Sequence, residues 1–241
     1  MKLTIIGGTG WLGAEIALEA VNRGHQVTVI SRHPEDIKYT LTPDLPSLKA
    51  NAGDYEELCR TVPDDTDVLV NSLIPDPFVH ETFADWCRNV VRTAKEKRIR
   101  RLVCIADSCI FEIRPGLRLN ETTFLTPAYR NWFGEHLNSH EVYLQEDELD
   151  WVEIAPAAKC LPDKSMREYK VAVNRLATID PMVEELRTED PDHYPFADTS
   201  YISTQDFAFA VLDEIEHPTY HRERICVCWK QGHEMYGRKD S

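Results

Sequence analysis

Leu3-Thr4-Ile5-Ile6-Gly7-Gly8-Thr9-Gly10-Trp11-Leu12-Gly13 joins a short apolar run to a glycine-rich turn, and the residues beyond it change period. Leu3 to Ile6 reads as a buried strand. Leu12, Ile16, Ala20 and Val21 then recur at helical spacing as far as Arg23-Gly24, where Gly24 is placed to cap a helix. A strand that turns at once into a helix, and lets a pyrophosphate reach the free NH groups of that helix, has no room for side chains. Gly7, Gly10 and Gly13 suit the turn, the close approach and the packing of helix on sheet, and the helix N-terminus favours negative charge. Thr9, Trp11 and Leu12 complete the candidate cofactor loop. The letters fit both Gly8-x-Gly10-x-x-Gly13 and Gly7-x-x-Gly10-x-x-Gly13, so the subtype stays open. The bland alternative, an ordinary glycine turn, is disfavoured by the strand before, the helix after and the second strand at the right distance.

That second strand is Val27-Thr28-Val29-Ile30, and it ends on Ser31-Arg32-His33. An Asp or Glu at this point would hold the adenine ribose hydroxyls and repel a 2′-phosphate. Ser31 and Arg32 can instead bond a phosphate, the guanidinium in two places, so the expected cofactor is NADP(H) over NAD(H). A solvated surface arginine is the competing reading, and Glu35-Asp36 lies close by.

Strand-like and helix-like segments go on alternating, which implies a parallel sheet covered on both faces: a doubly wound α/β Rossmann fold in a single domain, 1–241. A weak third strand is expected near Leu48 to Ala52, after a connection too short for a full crossover helix, and a fourth at Asp67 to Val70. A helix with Val79, Phe83, Trp86, Val90, Val91 and Ala94 on its buried stripe follows. Arg101 to Ala106 and Trp151 to Ala155 are the fifth and sixth strands, with a helix from about Tyr129 to Asp147 between them. Ser203 and Asp206 form a capping box ahead of a helix carrying Phe207, Ala210, Val211 and Ile215, and Arg224 to Trp229 is the last strand. The acidic, proline-containing stretch 174–198 is either a solvated excursion or a lid.

With 41 acidic against 27 basic residues, the net charge of -14 disfavours nucleic acid, whose phosphates call for clustered Lys and Arg. No apolar run approaches the roughly 18 residues needed to cross a bilayer, and Met1 leads straight into a strand pattern, so a cytoplasmic protein without a membrane partner is expected. The seven cysteines are scattered in mostly apolar segments, as for reduced structural thiols. Cys226 and Cys228 share one face of the last strand, but nothing completes a zinc site, and no metal is expected.

The series Ile5 to Gly13, Asn22-Arg23-Gly24-His25-Gln26-Val27-Thr28 with Ser31-Arg32, Gly53-Asp54, Arg101-Leu102-Val103, Leu149-Asp150-Trp151-Val152 and Tyr201 to Ala208 resembles the atypical short-chain dehydrogenases/reductases, the NAD(P)-binding group that includes biliverdin reductase B and NmrA-like proteins. The resemblance implies that Asp54 lies beside the adenine and that Asn71-Ser72-Leu73 passes along the ribose. It implies catalytic positions at Ser108, near the nicotinamide, and at His136 on the following helix. Trp11 stands where many relatives carry an arginine. Typical members use a Tyr with a Lys four residues on, the Lys lowering the phenol pKa. Tyr129 falls in that region, yet its fourth neighbour is Phe133. His136 and His140, one turn apart, also read as surface or core-edge residues.

Two functions remain open at this level. One is an NADPH-dependent reductase acting on a small planar acceptor such as a flavin or quinone, with segments 109–126 and 156–198 enclosing the substrate. The other is a dinucleotide sensor or interaction protein that binds NADP(H) without turnover and answers to a regulatory partner. A sugar epimerase or dehydratase is a distant third, since those need the absent Tyr and Lys. Substrate identity and oligomeric state carry no sequence signature here.

Overall fold

The computed structural model describes residues 1–35, 45–76, 82–121, 127–178 and 199–231, of which 127–132 by backbone alone. Its strands are β1 (Lys2–Ile6), β2 (Gln26–Ser31), β3 (Ser47–Lys49), β4 (Val68–Asn71), β5 (Arg101–Ile105), β6 (Glu112–Arg114), β7 (Leu117–Arg118), β8 (Asp150–Pro156), β9 (Lys159–Leu161), β10 (Tyr169–Val173), β11 (Tyr201–Ser203) and β12 (Glu223–Trp229). The helices are α1 (Trp11–Asn22), α2 (Tyr55–Thr61), α3 (Phe83–Glu96), α4 (Pro127–Leu144) and α5 (Thr204–Glu216).

Eight strands form one sheet in the order β10-β12-β8-β5-β4-β1-β2-β3, and each neighbouring pair is parallel except β10 with β12. From β1 the chain winds outward through β2 and β3, then returns to the other side of β1 at β4. The strand order therefore reverses beside β1, which is where an open α/β sheet leaves a crevice for ligands. This is the doubly wound Rossmann-like arrangement expected from the sequence.

The strands read as unbroken apolar runs because helices cover both faces. Leu3 and Ile5 pack with α1 and α5 on one side, and Ile6 goes to the other, with Trp86 and Val90 of α3. Val103 and Ile105 of β5 repeat the first choice, Leu102 and Cys104 the second. Gly24 takes φ +82° just beyond α1, as its capping position requires.

Several features escape the sequence pattern. α2 is too short to show a helical period, and it begins at Asp54, whose Oδ1 accepts from Glu57 N at 3.0 Å. β10 runs antiparallel on the edge of the sheet, and β6 with β7 and β9 with β11 make two small separate ladders. The capping box of α5 is half formed. Asp206 N donates to Ser203 Oγ at 3.1 Å, but the Asp206 carboxylate instead takes bonds from Met166 N, Arg167 N and Trp229 Nε1, at 2.8, 2.9 and 2.6 Å, and from Ser165 Oγ. Val79, Asp36, the connection 36–44, residues 122–126 of the first substrate-side segment and residues 179–198 of the second lie outside the described residues. No described helix is long and apolar enough to cross a membrane.

Candidate functional site

The turn between β1 and α1 is built without tolerance. Gly7 has φ +79°, and a Cβ on it would stand 2.6 Å from the Ser72 carbonyl oxygen. A Cβ on Gly13 would stand 2.2 Å from the Gly7 carbonyl oxygen. These two glycines hold the first turn of α1 against the ends of β1 and β4. Gly10 differs: it is the N-cap, and a Cβ there would meet only the Gly7 oxygen, at 3.1 Å. Among the described residues no side chain caps α1, and no acidic residue sits in its first turn. A Gly-lined cradle facing uncapped helical NH groups fits a pyrophosphate.

From this turn a cleft of about 320 Å³ extends along the carboxyl ends of β5 and β8. Gly10, Trp11, Leu12, Ser72, Ser108 and His136 all line it, so the two catalytic candidates and the cofactor turn share one space. Most of the remaining wall is apolar, from Ile74, Ile105, Phe133 and Pro156 to Ala158, and Asp107 adds a carboxylate that the sequence reading passed over. Asp107 Oδ1 accepts from Cys109 N at 2.8 Å, which caps the short 3-10 turn that sets Ser108 at the rim of β5. The signal was available: Asp107 directly precedes Ser108, where strand ends deliver side chains to the crevice.

His136 is 3% exposed and meets the ring of Phe83 edge-on, with centroids 5.2 Å apart. Burial lowers its pKa below the usual imidazole value, against the opposite pull of the Asp107, Glu153 and Glu135 carboxylates. His136 is therefore neutral at pH 7. His140, one turn on, does not join it in the cleft; its Nδ1 is paired with the buried Glu153 of β8. Cys109 and Cys160 also reach the cleft, and burial raises both thiols far above the range of a nucleophile. The side chain of Tyr129 lies outside the described residues, whereas Phe133, at the position a lysine would need, is part of the wall.

The adenosine-side candidates form a second group. The buried Ser31 Oγ has no hydrogen-bond partner among the described residues, an acceptor-seeking hydroxyl at the end of β2. Arg32 lies 5.4 Å from the ring centroid of Trp86 and donates from Nη2 to Asp76 Oδ2 at 2.8 Å. Asp54 caps α2, and its turn is tied to α3 by Asn89, which donates to the carbonyls of Ala52 and Gly53. Asn71 turns its side chain inward, donating to Tyr143 Oη at 3.0 Å, and it is the backbone of Ser72 and Leu73 that lies against Gly7. Leu73 packs on the core beneath α3 and does not line the cleft.

Residues 7–218 match the model of a family described as NAD(P)H-binding. YwnB of Bacillus subtilis is 28% identical over 230 residues, covering 94% of this chain and 98% of its own. A solved structure from Bacteroides thetaiotaomicron, named as a candidate epimerase, is 27% identical with a TM-score of 0.80, over 96% of this chain and 98% of that one. One from Streptococcus pneumoniae, named as a candidate NADH-flavin reductase, is 19% identical with a TM-score of 0.69, over 95% of this chain and all of that one, and speaks for the fold alone. The family match bears out the NAD(P)-binding character that the sequence resemblance implied. The glycine cradle at the sheet's reversal point and a family match spanning most of the chain lead to the same place: this protein belongs to the NAD(P)H-binding family.

Proposed function

We propose that this protein is an NADPH-dependent reductase that passes a hydride to a small planar acceptor such as a flavin or quinone. The observation that carries the reading is the continuity of the cleft, in which the uncapped start of α1 opens into a largely apolar chamber containing Ser108. The bound cofactor supplies the hydride. The chain supplies the rest. The start of α1 takes the pyrophosphate, Ser31 and Arg32 take a 2′-phosphate in preference to free ribose hydroxyls, and Asp54 and the backbone of 71–73 border the adenosine. Ser108 orients the nicotinamide amide or the acceptor. Trp11, Ile74, Phe133 and Pro156 offer flat apolar walls that exclude water from the transfer.

A two-electron reduction of a flavin or quinone needs one proton besides the hydride. Neutral, buried His136 is a poor acid at pH 7, so that proton is drawn from solvent through the cleft mouth. The reading also has the protein working in the cytoplasm on a small molecule, without nucleic acid or membrane. Phe133 at the place of a lysine speaks against epimerase chemistry and favours, as the second reading, a sensor that binds NADP(H) without turnover.

The test is NADPH oxidation against flavins, quinones and aldehydes, with dinucleotide binding measured in parallel. The expected outcome is consumption of NADPH with a flavin or quinone, and a Ser108→Ala variant whose turnover falls by about tenfold or more while its NADPH affinity changes by less than about threefold, the size of one lost hydrogen bond that matters chiefly in the transition state. Tight NADPH binding with no acceptor reduced would transfer the case to the sensor.

A further inference from the structure

We propose that Asp76 tempers the NADPH preference of this protein: it holds Arg32 across the adenosine side of the crevice, so that a 2′-phosphate has to take the guanidinium from a resident carboxylate. The inference rests on the cofactor reading above and deepens it. Arg32 directly follows β2, and Asp76 lies five residues beyond the end of β4. These strands are not neighbours; β1 runs between them, with Ile6 in register with Ile30 of β2 on one side and with Asn71 of β4 on the other. The ion pair therefore spans the carboxyl end of β1, the point from which the glycine turn departs. Arg32 is also laid over the Trp86 ring, whose indole nitrogen stands 3.2 Å from where a Gly53 Cβ would be. Guanidinium, indole and the Gly53-Asp54 turn thus stand together where the adenosine half of a dinucleotide would lie.

The pair is half-exposed, with the Arg32 side chain 43% and that of Asp76 21% accessible, so water and salt weaken it and a doubly charged phosphate can displace the carboxylate. NADH carries no phosphate at this position and can bind with the pair closed. NADPH has to open it and then sits close to the released Asp76 carboxylate. The cost falls on one cofactor only, which makes Asp76 a specificity-determining residue that lies outside both the glycine turn and the end of β2.

The experiment measures NADPH and NADH dissociation constants at fixed ionic strength for the full chain, Asp76→Asn, Arg32→Ala and the double variant. Asp76→Asn should bind NADPH about three- to tenfold more tightly and NADH within about twofold of the original, as expected for release of an exposed ion pair together with loss of one like charge. Arg32→Ala should lose most of the NADPH preference, and in that background the gain from Asp76→Asn should shrink to about twofold or less, because the two residues act through each other. An unchanged NADPH-to-NADH ratio in Asp76→Asn, or weaker NADPH binding, overturns the proposal while leaving the cofactor site in place. Failure of every variant and of the original to bind either dinucleotide overturns the cofactor reading, and this inference with it.

Discussion

Gly7, Gly10 and Gly13 look equivalent as letters, and the surrounding backbone makes them different. Where a Cβ would collide with a carbonyl at 2.2 Å, as at Gly13, substitution has to displace the helix from the sheet. A side chain on Gly10 asks the Gly7 carbonyl to give by only a few tenths of an ångström in the folded protein, but it would fill the space of a pyrophosphate. Gly10→Val should therefore fold, with a stability loss of about 1 kcal/mol or less for an altered N-cap, and lose binding of both NADPH and NADH. Calorimetric titration alongside thermal melting separates the two effects; retained affinity would move the phosphate site elsewhere. Gly13→Val is the contrasting variant and should fail by melting far below the original. At this scale the glycines, Ser31, Arg32 and Ser108 are candidates that the sequence offers because each lies at a strand end or in the turn that follows one, where local pattern is clear. Asp107 carried the same signal, directly before Ser108 at the end of β5, whereas Asp76 did not, since an aspartate further along a loop has no periodicity to mark it and only its contacts separate an ion-paired residue from a solvated charge.

α5 shows how a correct local motif acquires a distant role. Ser203 and Asp206 are spaced as a capping box, and the Ser203 half forms. The Asp206 carboxylate, fully buried, instead fastens the loop at 165–167 and the indole of Trp229 at the end of β12. Asp206→Ala should cost about 3 kcal/mol, because the Trp229 NH and the loop donors are left partly buried without an acceptor, and Asp206→Asn should cost less. Urea unfolding followed by tryptophan fluorescence checks this; a loss under about 1 kcal/mol would mean that water replaces the carboxylate. Sequence pattern also recovered β1, β2, β5, β8, β12 and the long helices within a few residues, since the strands are apolar runs covered on both faces and the helices have enough buried positions to display a period of 3.6. α2 spans only seven residues and β9 and β11 three each, too few to do so.

Across the whole molecule, the cleft lies at the carboxyl ends of the parallel strands and the opposite end is locked by charge. Arg101, at the start of β5 and 6% exposed, pairs with Asp150 of β8 at 2.8 Å and Glu214 of α5 at 2.6 Å, and donates to the Tyr220 carbonyl. Arg101→Ala leaves Glu214 buried beside two backbone NH donors, Thr219 and Tyr220, and should destabilise by about 3 kcal/mol. Four residue steps along β5 separate it from Ile105 in the cleft wall, roughly 13 Å, so NADPH affinity should be unchanged. Denaturant midpoints and dinucleotide titration on the same variant check both halves, and a loss of affinity in the folded variant would refute the separation. Alternation of short apolar runs with amphipathic helices sufficed to establish a covered parallel sheet, and the glycine turn after the first run sufficed to point to an NAD(P)-binding protein, because both depend on interactions within a few residues. The antiparallel edge strand β10, the inward turn of Asn71, the burial that keeps His136 neutral and the Arg32–Asp76 bridge across β1 depend on residues from 44 to 72 positions apart or on packing from both faces. Such contacts have no local period, and the fold has to bring the partners together before their chemistry exists.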